Sequence, residues 1–96
     1  MAKPSPVIEP GASQEFVYTG EQIPFQVIIA NTNTANTASY MLKSGKEGWS
    51  LYGAIAKGGN VSLMVQWPSG HAVVTNESAP GTNIEVGGLG IFPVDG

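Results

Sequence analysis

The chain has 96 residues, 42% of them apolar and only 11% charged, with seven carboxylates against four lysines for a formal net charge of −3. It has no cysteine and no arginine, which excludes a disulfide framework and a cysteine-based zinc site, and disfavours nucleic acid, whose phosphates require clustered cations. A chain this long forms one domain that buries roughly 60–65% of its unfolded surface. Charge far below the ~25% of an average domain points to a surface partly covered by another subunit, since interface cores are poor in charge.

Prolines at positions 4, 6 and 10 keep the first residues extended and out of a helix. Residues 1–12 are therefore expected to form an N-terminal arm and residues 13–96 the folded domain. Pro4, Pro6, Val7 and Ile8 are the arm's candidate interface residues, with Val7 and Ile8 supplying an apolar anchor. The arm lacks the apolar stretch of a secretory signal, and no apolar run approaches the ~18 residues of a membrane helix. With Met1 as the native start, synthesis in a cytoplasm and no membrane association are expected.

Residues 14–19 read as a strand with Phe16 and Tyr18 on one face. Residues 23–30 form a stronger one, opened by Pro24, with Ile23, Phe25, Val27 and Ile29 on one face. The polar run 31–37, NTNTANT, interrupts the pattern, because Asn and Thr side chains bond nearby backbone and favour turns. A strand over 38–43 follows, with Tyr40 and Leu42 opposed to Met41, and then a loop over 44–48.

Residues 51–67 read as a β-hairpin around Gly58 and Gly59. On its first arm Trp49, Leu51, Gly53 and Ile55 alternate with Ser50, Tyr52 and Ala54; on its second, Val61, Leu63, Val65 and Trp67 alternate with Ser62, Met64 and Gln66. This places Trp49 and Trp67 in the core and leaves Tyr52 as the outward aromatic. Pro68, Ser69 and Gly70 make a turn, 71–75 a short strand and 76–82 a polar loop. The last strand spans 83–92, where Gly87, Gly88 and Gly90 predict a bulge or a close backbone approach. No segment carries the helical repeat. Seven to eight short strands at this spacing predict an all-β chain, a single antiparallel β-sandwich of jelly-roll-like or Ig-like form.

Little in the chain carries chemistry. His71 is the sole histidine, and a general base needs an orienting partner; Glu77, Glu85 and Asp95 are candidates that no spacing places beside it. The carboxylates form no calcium-loop pattern, serine sits in no nucleophile elbow, and the glycines at 87–90 lack the lysine of a phosphate loop. No catalytic residue, metal or cofactor is expected. Two N-x-S/T matches, at Asn60 and Asn76, are short enough to arise by chance. Tyr52 is the best-placed side chain for an interface or for stacking on a sugar ring, with Trp49 or Trp67 beside it if either is exposed.

The order of pieces is similar to that of small virion proteins of tailed bacteriophages over residues 14–92. The resemblance rests on Phe16-Val17-Tyr18-Thr19 ending the first strand, on Val27-Ile28-Ile29-Ala30-Asn31, on the alternating strand from Ala38 to Leu42, on the L-Y-x-x-I-x-x-G-G-x-V-S-L wording of residues 51–63, and on a glycine-rich closing strand. Gly20-Glu21-Gln22 stands where the family pattern has Pro-Ala-Gly. The resemblance implies a non-enzymatic β-sandwich that decorates or cements a capsid or attaches to the tail. It also implies a homo-oligomer, most often a trimer, that binds the major capsid or tail protein and resides in the virion. The rival expectation is a small carbohydrate-binding module, or a tail accessory protein for host adhesion, working through exposed aromatics.

Overall fold

The computed structural model describes residues 7–18, 25–44, 48–66, 70–88 and 91–94, and every regular element among them is a strand. In chain order these are β1 (Val7–Ile8), β2 (Ser13–Tyr18), β3 (Phe25–Asn31), β4 (Ala38–Ser44), β5 (Ser50–Ile55), β6 (Asn60–Val65), β7 (His71–Asn76), β8 (Ile84–Gly87) and β9 (Ile91–Pro93). They form two sheets, β1-β8-β3-β6 and β5-β4-β7-β2-β9, in which every pairing is antiparallel.

The pairing decides between the two sandwich forms. β1 pairs with β8, β2 with β7, β3 with β6 and β4 with β5, so the first eight strands make one long antiparallel ribbon rolled onto itself. That is a jelly roll. β9 is added outside it, on β2.

Alternation fills the space between the sheets. Phe25, Val27 and Ile29 of β3 are buried in turn, as are Ala38, Tyr40 and Leu42 of β4, Ala72 and Val74 of β7, and Ile84 and Val86 of β8. Each such aliphatic or aromatic side chain contributes about 1.5–3 kcal/mol by leaving water. Tyr18 of one sheet stacks on Phe25 of the other, ring centroids 4.8 Å apart and 15° from parallel, which ties the layers where β2 ends and β3 begins.

Three expectations need correction. Residues 51–67 are two strands but not a hairpin, because β5 bonds to β4 and β6 bonds to β3 in the opposite sheet. The turn at 56–59 is pinned to the β3–β4 loop by the Gly58 amide, which donates to the Asn33 carbonyl at 2.8 Å. It therefore carries the chain across the sandwich. The segment 83–92 is likewise two strands in different sheets. At Gly88 a Cβ would run into the Gln26 carbonyl oxygen, so the chain can hug β3 there, and it next reappears as β9 in the other layer. Finally, the expected arm joins the sandwich before its end: β1 pairs with β8, and Ile8, 3% exposed, belongs to the core.

Two buried asparagines hold the loops at one end of the sandwich. Asn31, the last residue of β3, donates through Nδ2 to the carbonyls of Asn36 (2.8 Å), Ile55 (3.1 Å) and Ala56 (3.3 Å), while its Oδ1 accepts from the Asn33 amide at 2.9 Å. Asn76, the last residue of β7, repeats the device. Its Nδ2 donates to the carbonyls of Ile8 and Thr82, both at 2.8 Å, and its Oδ1 accepts from the Ser78 amide at 2.9 Å. Buried polar groups are tolerated when bonded in this way, and the bond to the amide two residues on is the Asn turn expected of the polar runs.

Candidate functional site

The outer face of the five-stranded sheet carries the only histidine. His71 Nδ1 lies 3.1 Å from Glu15 Oε2, with the side chains 28% and 43% exposed. Glu15 is none of the three candidate acids, Glu77, Glu85 and Asp95; β2 brings it in because it runs antiparallel to β7, with Val17 opposite His71 and Glu15 opposite Val73. Alternation along both strands was the one available signal, but it does not say which strands are neighbours. Phe92, opposite Val17 on β9, and Val73 give the pair an apolar outer surround. When the imidazole is protonated this is a cross-strand ion pair of the surface kind, in general worth about 0–1 kcal/mol. Among the described residues no three of His, Asp and Glu gather to hold a metal ion.

Of the five candidate interface residues, Pro4 and Pro6 lie outside the described residues. Val7 is exposed, beside an open hollow of about 320 Å³ where β1 hands over to β2. Ile8 points into the chain's own core and is unavailable to a partner. Tyr52 is 69% exposed, as its place in the alternation requires.

The expected burial of Trp49 is overturned, and Leu51, on the same face, shares the correction. Both lie on the side of β5 that faces the other sheet, yet they are 53% and 48% exposed. Among the described residues no strand lies beyond β5, the edge of its sheet, and the next inward position along it, Gly53, has no side chain to lean on Leu51. Gly53 sits opposite Tyr40, whose ring occupies the place of a side chain at Gly53. Trp67 lies outside the described residues.

The apolar exposure is gathered on one side. Six large apolar side chains are exposed among the described residues; Trp49, Leu51, Tyr52 and Met64 are four of them, and all four lie on or next to β5 and β6. These strands are the matching edges of the two sheets, and four residues, 56–59, connect them. So short a connection can cross the ~10 Å between layers but cannot travel round the molecule. β5 and β6 thus form one flank. Both are six residues long and contain neither charge nor proline. The opposite edges are β1, of two residues, and β9, of three with Pro93, which are the short and proline-bearing edges that discourage strand addition.

The fold is a jelly-roll β-sandwich in which, among the described residues, the edges β5 and β6 lie uncovered on one flank. Comparison with protein-family models and with curated proteins found no match to the chain.

Of the two N-x-S/T asparagines, Asn76 is completely buried with its amide nitrogen bonded twice, so the folded chain does not offer it for modification. Asn60 is exposed at the start of β6.

Proposed function

We propose that this chain is a non-enzymatic structural protein of a bacteriophage virion, a capsid decoration or cement protein that works through contacts between subunits. The observation that carries the reading is the β5–β6 flank, whose two strands hold no charged side chain and beside which Trp49, Leu51, Tyr52 and Met64 are exposed. A surface of this kind is suited to being covered. The sequence resemblance adds the virion, and the jelly roll is an architecture that capsid proteins use, although fold alone does not assign function. Its partners would be further copies of itself and the major capsid or tail protein. With Ile8 in its own core, the contacts fall to Val7 and to the residues around Tyr52.

The test is immunogold electron microscopy of intact particles made from the genome that encodes the chain, using antibody to the full-length protein. Label at regular positions on head or tail is expected. Purified particles free of label, and free of the chain by mass spectrometry, overturn the reading.

Tyr52 and Trp49, both exposed on one edge, favour one alternative, a carbohydrate-binding module, since lectins also use jelly rolls. A glycan array checks it. Binding that disappears in Tyr52→Ala while the fold is kept would establish the module, and a blank array removes it.

A further inference from the structure

We infer that the β5–β6 flank is where two copies of this chain meet, side by side about a twofold axis, with β5 pairing antiparallel with β5 of the second copy. Four observations lead there. β5 is a six-residue edge whose outward backbone groups have no partner strand among the described residues, and such an edge is a template for another strand.

The second observation is charge. Ser50–Ile55 and Asn60–Val65 hold no acidic or basic side chain, so along the two strands themselves nothing selects a basic or acidic partner and nothing repels an identical strand; the described charges beside them are Lys57 in their connection and Lys43 opposite Ser50. Among the described residues the carboxylates, Glu9, Glu15, Glu77 and Glu85, lie on other strands and loops.

Third, Trp49 and Leu51 are on the inward face but are half exposed. A twofold axis normal to the sheet keeps inward residues inward in both copies. Each β5 would then continue the other's sheet, the β6 edges would approach in the second layer, and Trp49 and Leu51 would pass from a margin into the interior of a shared core. Registers that pair residues of equal parity keep this match; in one of them Tyr52 meets Tyr52 and Leu51 meets Gly53.

Fourth, the size fits a weak dimer. Six residues at ~3.4 Å span about 20 Å, and two layers with their side chains are about 20 Å deep. The flank therefore offers on the order of 400–500 Å² per copy, near the ~1,000 Å² in total that marks the lower bound of a specific interface. Association at tens of micromolar is expected rather than an obligate dimer. A twofold contact is self-complementary and closes at two, in place of the trimer that the resemblance implies.

The inference does not depend on the virion reading, since particle labelling and self-association can each succeed without the other. Sedimentation of the full chain from about 1 to 500 µM tests it. The mass is expected to rise from 10.0 kDa to twice that. Leu51→Lys and Met64→Lys, at exposed positions that keep a far-UV spectrum of wild-type form, should each weaken the dimer at least tenfold. Phe92→Lys, on the far side, should leave it unchanged. A chain that stays monomeric at all concentrations overturns the inference. So does a trimer, or a dimer that persists in both edge variants or is lost in Phe92→Lys.

Discussion

Asn76 shows how much of this molecule rests on single polar side chains. It joins the end of β7 to β1 and to the β7–β8 loop by three bonds in a site of zero exposure. Replacing it by alanine leaves two carbonyls and an amide without their partner. Asn76→Ala is therefore expected to lose about 2–4 kcal/mol in urea unfolding. Thr82 presents the opposite case nearby. Its Oγ1 is buried with no hydrogen-bond partner among the described residues, and a buried hydroxyl without a protein partner costs stability. Thr82→Val keeps the shape and removes that cost, and the urea midpoint should rise, by about 1 kcal/mol of stability. The polar run at 31–37 was legible as a turn because Asn and Thr compete for backbone. That Asn31 would reach across to Ile55 and Ala56 was not, since those carbonyls come from another segment of chain.

At the scale of elements, each strand is defined by its own alternation but located by its neighbours. The segment 51–67 displays two clean period-two patterns, and these are satisfied equally by a hairpin and by strands in opposite sheets. The structure takes the second course because the 56–59 turn is bonded to the β3–β4 loop. Gly88 plays a comparable part between β8 and β9. A methyl group there would strike the Gln26 carbonyl, which belongs to the backbone of β3 and cannot rotate away. Gly88→Ala should cost about 2 kcal/mol or more, read from thermal or urea unfolding. β1 is short, but Ile8 fills the core and its carbonyl accepts from Asn76. Deleting residues 1–8 should thus destabilise the sandwich by about 3 kcal/mol or more, measurable before any binding is considered. Loss of binding by such a truncation would say nothing about an arm; Val7→Asp, at an exposed position, is the cleaner probe of an outward contact.

For the whole molecule, winding a ribbon so that the first strand pairs with the eighth makes nearly every contact non-local. Chain-closure entropy must be met before these contacts form. Refolding by stopped-flow tryptophan fluorescence should accordingly fall on the millisecond-to-second scale of all-β domains. The same winding leaves two matching edges on one flank. Low overall charge, visible in the composition, becomes informative only there: β5 and β6 hold no acidic or basic side chain.

Composition and alternation alone were enough to show an all-β sandwich, the faces shared by Phe16 on β2, Phe25, Val27 and Ile29 on β3 and Tyr40 and Leu42 on β4, and the outward place of Tyr52. Those are local properties, since period two records which face of a strand is buried. Partner choice is not local. Only the tertiary structure set the jelly-roll order, separated β5 from β6 and β8 from β9, took Ile8 into the core and brought Glu15 to His71. It also left Trp49 and Leu51 at a margin, because facing inward buries a side chain only where another strand lies beyond it, and at β5 the described residues supply none.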